Sequence, residues 1–564
     1  MFYLRTADIR VFFTLFIVGL SFGSNAVEIK TKQGILEGFE QHSRNGTKYQ
    51  AFLGIPYARP PIGNLRFESP QTPLTWDGVR DATKPPPKCV QIEQFFLKGS
   101  SVIGQEDCLY LNVYTPVNVC TNHKKSPVPV MVWIHGGAFL EGSGFFYGPE
   151  YFLDHNIIIV TINYRLGVIG FLSAADEVLP GNYGMKDQVA ALKWVQENIR
   201  DFGGNPQQVT IFGESAGASS AHLHMFSPLS KGIFHRAISQ SGTALAVWTQ
   251  TPAYVARQRF LAFGILAGCS IQSTRVLVDC LRKISAEELI LITDKFYVWD
   301  SEPTMSFSVV IEPTAVADAF LTRNPWKDKA LYEVPWIVGM NSGEGLIQVA
   351  RLLSDAKRAD VFDTYYKRLM PVYFGYKDWL KPEEMDETSD KLRKYYFEDK
   401  KIGLETARDL TNIMTDAFFM YDMMVASQRH TNTRFVYYYD HNCEQSFIEL
   451  PGNVSTDLGV SHADELFNFF SMPLATDKIT PADLSVSKRL VEYWVNFAHT
   501  GNPTVDDSWK ASTSTEIDYL YIKTENDTMR RGLLSDRFNF WKNSLAHPIN
   551  GPTFDDRKVI SKIL

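Results

Sequence analysis

Residues 209–226 read VTIFGESAGASSAHLHMF. Val209 to Phe212 are apolar or β-branched and carry strand propensity, and AHLHMF at 221–226 suits a helix. Between them stands Gly213-Glu214-Ser215-Ala216-Gly217. Glycines two residues before and two after a serine permit a turn too tight for a Cβ at either flank. The turn leaves the Ser215 hydroxyl exposed at a helix N-terminus, where backbone N–H groups and the helix dipole favour developing negative charge. The bare pentapeptide carries little weight in a chain of 564 residues. Its setting, strand then sharp turn then helix, makes Ser215 a candidate nucleophile.

Working outward, short apolar runs alternate with helical patterns. Candidate strands are 130–134 (VMVWI), 157–162 (IIIVTI), 209–212, 335–339 (PWIVG) and 435–439 (FVYYY), and their near-continuous apolarity suits strands buried on both faces. The spacing of Val189, Leu192, Trp194, Val195 and Ile199 predicts a helix over 185–198, stopped by Gly203 and Gly204. This pattern predicts an α/β protein, with a large, mostly parallel central sheet flanked by helices and function on loops at the C-terminal edge. Long loop and helix insertions account for the length, and the charged stretch 381–401 reads as a solvated excursion. No long basic tract is present, and the 56 Lys and Arg against 63 Asp and Glu give a net charge of −7, which excludes nucleic acid as an expected partner.

A serine hydroxyl needs a base to take its proton, and the base needs an acid to orient it. His135-Gly136-Gly137-Ala138 ends the first candidate strand, and Gly136 and Gly137 can offer backbone N–H groups to an oxyanion together with Ala216. The chain order Ser, acid, His expected of such sites directs attention to Glu344 in VGMNSGEG (338–345) and to His462 in GVSHADEL (459–466). His441, His222 and His224 compete as bases, and Glu312, Glu302 and Asp440 as acids.

The first residues join Arg5 and Arg10 to an apolar run, Val11 to Leu20, and to small residues at Ser24 and Ala26. Such a pattern predicts a signal peptide over 1–26 and a single domain over 27–564, secreted and extracellular. That apolar run is too short to span a bilayer and no second stretch is long enough, so no membrane anchor is expected after cleavage. Export makes the six cysteines readable as disulfides, although spacing leaves the connectivity of Cys89, Cys108, Cys120, Cys269, Cys280 and Cys443 open. No compact cluster has structural-zinc spacing, and neither metal nor cofactor is expected. Glycan acceptor triplets begin at Asn45, Asn453 and Asn526.

Beyond these elements, ordered segments along the mature chain resemble the type-B carboxylesterase and cholinesterase family, most of all its secreted insect members. They include FLGIPYARPPIGNLRF (52–67), GQEDCLYLNVYTP (104–116), VWIHGGAF (132–139), NYRLGVIGF (163–171), GNYGMKDQVAALKWVQENIRDFGGNP (181–206), GMNSGEG (339–345) and GVSHADEL. The resemblance implies an α/β-hydrolase fold, a Ser215–Glu344–His462 triad and oxyanion donors at Gly136, Gly137 and Ala216. It also implies disulfides Cys89–Cys108 and Cys269–Cys280, and Trp248 beside the acyl pocket. The implied substrate is a small-molecule carboxylic ester.

Departures from the family pattern narrow that substrate. The loop between Cys89 and Cys108 is shorter than in cholinesterases and lacks their cation-binding tryptophan, so an uncharged ester is expected, with Phe95 and Phe96 offering aromatic surface. Glu214 stands where juvenile hormone esterases of the family typically carry glutamine. Xenobiotic, lipid-like and odorant esters fit the reading. A scavenger of organophosphate-like compounds, a hormone or pheromone esterase and a non-catalytic adhesion protein are the alternatives. No coiled coil or tetramerisation tail is visible, leaving monomer or homodimer.

Overall fold

A computed structural model describes residues 27–94, 101–120, 126–299, 302–303, 305–448, 458–474, 479–513 and 515–544. The leader, Phe95, Phe96, Asn453 and the side chain of Cys120 lie outside the described residues.

Twelve strands run across the sheet. They are β1 (Val27–Lys30), β2 (Ile35–His42), β3 (Lys48–Pro56), β4 (Tyr110–Pro116), β5 (Val128–Ile134), β6 (Ile158–Ile162), β7 (Gly204–Glu214), β8 (Arg236–Gln240), β9 (Trp336–Asn341), β10 (Arg434–Tyr439), β11 (Asp518–Ile522) and β12 (Thr528–Arg531). Their spatial order is β1-β2-β3-β4-β6-β5-β7-β8-β9-β10-β11-β12, and the short strand Val79–Asp81 pairs with β2. The pairs from β6 through β11 are parallel, whereas β1 to β4, the β4–β6 pair and β12 are antiparallel.

The apolar runs of β5 and β6 are buried along their whole length. Successive side chains of a strand leave on opposite faces. Val130, Val132, Ile134, Ile158 and Val160 enter one core, while Met131, Trp133, Ile159 and Phe212 enter the other. Both faces are thus covered by helices, the condition under which a parallel strand reads as continuously apolar. The architecture is one α/β domain of the expected class.

All five expected strands form, within a few residues of their anticipated ends. Helix α1 (Tyr183–Asn198) starts two residues earlier than its periodicity suggested and leads through a short 3-10 turn to Gly203, whose φ of 85° is left-handed. The charged stretch 381–401 is more than a solvated excursion: Pro382–Tyr396 is helical and buries Leu392 and Tyr396. No helix among the described residues is long and apolar enough to cross a membrane.

Cys89–Cys108 and Cys269–Cys280 are disulfides, and Cys443 is a free thiol. Asn45 and Asn526 are exposed. The Arg165–Asp187 ion pair is sealed inside the domain. Arg165 donates from Nε and Nη2 to the two oxygens of Asp187 on α1, each at 2.7 Å, with the side chains only 1% and 0% exposed.

Candidate active site

Strand β7 ends at Glu214, and the chain turns at Ser215 with φ 55° and ψ −120° before entering helix α2 (Ala216–His224). A non-glycine residue held there is strained, a condition that persists only where surrounding structure enforces it. The enforcement is visible in the flanking glycines. A Cβ on Gly217 would lie 1.9 Å from the Ile134 carbonyl oxygen at the end of β5, and one on Gly213 would lie 2.4 Å from the same atom. The turn is therefore pressed against its neighbouring strand, and Ser215 N–H is held by Gln240 O at 2.8 Å.

Glu344 sits just beyond β9 and is fully buried. Its Oε1 accepts from the Ser241 hydroxyl at 2.5 Å and from the Asn341 N–H at 2.6 Å. Its Oε2 lies 2.6 Å from His462 Nδ1. A carboxylate so placed fixes the imidazole proton on Nδ1 and turns Nε2 the other way. Nε2 faces Glu214 Oε1 at 3.0 Å, and the ring lies 4.5 Å from that of Phe419.

Burial opposes charge on the imidazole, yet the Glu214 and Glu344 carboxylates outweigh it and raise the His462 pKa well above the ordinary 6.5. Burial raises Glu214 in turn, against the pull of His462. A third carboxyl, Glu465, lies behind them, accepting from Asn341 Nδ2 at 2.6 Å and Gln240 Nε2 at 3.2 Å. Burial, with Glu214 and Glu344 nearby, pushes it up to about 8.

Ser215, Glu214 and His462 open onto a cavity of about 830 Å³, which Trp248, Tyr297, Tyr373, Trp379, Phe418 and Phe419 also line. Trp248 is anchored by its Nε1–H to the Phe418 carbonyl at 3.0 Å. A more polar part of the wall carries Arg259 and Asp378, paired at 3.1 Å. Gly137 and Ala138 face the cavity, whereas Gly136 does not. Gly136 is packed behind the nucleophile turn, where a Cβ would lie 2.6 Å from Glu214 Oε2 and 3.1 Å from Ser215 Cβ.

None of the competing bases lines the cavity. His441 bonds Thr524 and Asp483 at 2.8 and 2.9 Å, His224 bonds Ser230 and Gln188, and His222 accepts from the Ala244 N–H. His441, Asp483 and Cys443 do bring metal-ligating atoms within 4.8 Å of one another, but all three are engaged in protein hydrogen bonds. Among the acids, Glu312 accepts from Asn182, Phe320 and Leu321 and pairs with Lys186 at 2.8 Å, and Asp440 accepts from Tyr521. Glu302 borders the cavity.

Sequence reasoning missed Ser241, Glu465 and Ala138. Glu465 stood in plain view three residues after His462. Ser241 follows β8, whose RAISQ has only two apolar residues and escaped recognition as a strand.

The chain's likenesses agree with this geometry. The model of the carboxylesterase family matches residues 25–541. Venom carboxylesterase-6 of Apis mellifera is 35% identical over 91% of this chain and 94% of its own length. Juvenile hormone esterase of Tribolium castaneum is 34% identical over 93% and 95%, and esterase FE4 of Myzus persicae 37% over 86% of each. A strained serine between strand and helix, a histidine bonded to a buried glutamate, and likeness over nearly the whole length converge: this chain belongs to the carboxylesterase family and is a carboxylic ester hydrolase.

Proposed function

We propose that Ser215, His462 and Glu344 form the catalytic triad of an exported esterase acting on uncharged carboxylic esters. The observation that carries this reading is the 2.6 Å bond from Glu344 to His462 Nδ1, with His462 and Ser215 both lining the same cavity. In the attack, Nε2 exchanges Glu214 for the Ser215 hydroxyl and takes its proton as Oγ adds to the ester carbonyl. His462 returns that proton to the leaving alcohol as the C–O bond breaks. Water then adds to the acyl-enzyme by the same route, and its proton passes through His462 to Ser215 as the acid leaves.

The oxyanion needs backbone N–H donors beside Ser215. Gly137, Ala138 and Ala216 serve in this reading, and Gly136 acts as the packing residue that lets the turn approach. Trp248, which lines the cavity, borders the acyl group in this reading. The aromatic lining supports an uncharged substrate. The two disulfides, stable in an oxidising compartment, support export through the leader at 1–26.

The test is a kinetic profile over esters varied separately in acyl and alcohol parts, with a choline ester included. Uncharged aryl and alkyl esters are expected to lead; a preference for the choline ester overturns the substrate assignment. The pH profile adds a second check. Turnover requires the neutral imidazole, and the raised His462 pKa sets the acid limb of kcat/KM above pH 6.5. Glu214→Gln removes one of the two carboxylates that favour the charged ring, so its acid limb is expected at lower pH than the wild type's. A limb that stays put or rises refutes the assignment of His462 as the base.

A further inference from the structure

A trans peptide is planar, and its N–H points opposite to the C=O of the same plane. A donor amide is therefore aimed by whatever holds that carbonyl from behind. For the Ala216 amide the carbonyl is Ser215 O, held by the Ser219 N–H at 2.9 Å. For the Ala138 amide it is Gly137 O, held by the N–H groups of Leu140 and Glu141 at 2.8 and 3.0 Å. For the Gly137 amide it is Gly136 O, and its partner is a side chain, His135 Nδ1, at 2.8 Å.

A carbonyl oxygen only accepts, so this contact requires the His135 proton on Nδ1. The other tautomer would set a lone pair against Gly136 O. Nε2 fits the requirement, being buried without a hydrogen-bond partner among the described residues. The ring is clamped on several sides. Tyr164 stacks on it at 4.4 Å and 18°, while the Tyr164 hydroxyl donates to His135 O at 2.8 Å. On the Nδ1 side stands Gly142, with φ 117°, where a Cβ would lie 2.4 Å from that nitrogen. Gln91 grips Gly142 through both its N–H and its C=O, at 2.7 and 3.0 Å. Burial lowers the His135 pKa to about 4, which keeps the ring neutral across the working range.

We infer that His135 is a positioning residue for ester hydrolysis: from its Nδ1–H tautomer it holds the Gly136 carbonyl and so aims the Gly137 N–H at the substrate oxygen. The inference rests on the Ser215 reading above. His135 itself does not line the cavity. Its effect passes through one peptide plane and is felt when the carbonyl oxygen becomes anionic.

The test compares His135→Phe, which keeps an aromatic ring on Tyr164 and deletes the donor, with His135→Asn, whose Nδ2 occupies the donor position. His135→Phe is expected to lower kcat roughly 10²-fold, the scale of one lost oxyanion donor, with KM little changed. It is expected to weaken a trifluoromethyl ketone, which forms an oxyanion on the nucleophile, by a similar factor. His135→Asn is expected to restore most of both losses. In wild-type protein with nitrogen-15-labelled histidine rings, the signal missing from His135→Asn should show the proton on Nδ1. Wild-type kcat in His135→Phe, no recovery in His135→Asn, or a proton on Nε2 each overturns the inference. If His135→Phe does not fold, His135→Asn and the ring signal decide. A wild-type protein inert to every ester sinks the Ser215 reading instead, a result that the histidine variants cannot mimic.

Discussion

Ser215→Ala is expected to reduce kcat on an aryl ester by roughly 10⁴ to 10⁶-fold, the loss seen when a triad nucleophile is removed while binding and oxyanion donors remain. The fold should survive, because alanine keeps the Cβ that already occupies φ 55° and deletes only the hydroxyl. Ser215→Gly separates chemistry from strain. It is equally inactive, but it relaxes a left-handed position, and it is expected to melt at or above the wild-type temperature. Ester hydrolysis by either variant at a tenth of the wild-type rate would rule out Ser215 as nucleophile. Labelling by a fluorophosphonate should vanish in both.

The largest effect on stability is expected at Arg165. The Arg165–Asp187 pair is excluded from water, and the guanidinium also donates to the Glu68 carbonyl at 2.8 Å. Arg165→Met leaves the Asp187 carboxylate without its counter-ion in the interior. Stranding a buried charge costs about 3–5 kcal/mol, enough to lower both the melting temperature and the yield of folded protein. Removing the charge as well, in Arg165→Met with Asp187→Leu, is expected to recover a large part of the loss, since a buried ion pair is seldom more stable than a well-packed apolar replacement. Thermal unfolding of the three proteins decides the matter: a double variant no more stable than Arg165→Met shows that the arginine acts through shape and carbonyl bonding instead. Shape is a real competitor, because the guanidinium also lies over the Tyr183 ring, 5.3 Å from its centroid.

What could be read from the residues follows from how each signal is encoded. Strands buried on both faces announce themselves locally, as Val128–Ile134 and Ile158–Ile162 do. The candidate nucleophile was legible because Gly213, Ser215 and Gly217 lie within five residues and both glycines are required by the same close approach to Ile134. By contrast, β8 satisfies its polar residues by bonds formed only after folding: Ser239 Oγ donates to Ala218 O and accepts from Trp336 Nε1, both at 3.0 Å. Nothing local marks such a segment as a central strand, and Ser241 was lost with it. The antiparallel strands β1 to β4 are mixed in polarity for a similar reason, lying toward the margin of the sheet. Glu344 and His462 were open to competition from six other groups until the fold showed which pair meets. The two residues are 118 positions apart, and their bond depends on β9 delivering one and the turn before Phe469 the other.

The division between sheet ends and inserted helices has a consequence for how such a protein diversifies. The candidate reacting groups come from turns at the ends of β5, β7 and β9 and from the His462 turn, and Gly137, Gly213, Gly217 and Gly343 in the first three have no room for a Cβ. Much of the cavity wall instead comes from the helical stretch 346–429, through Ile347, Gln348, Ala350, Tyr373, Phe418 and Phe419. Chemistry and selectivity are therefore written in largely separate parts of the chain. Wall side chains can be exchanged while the Glu344–His462 bond and the Ser215 turn stay as they are.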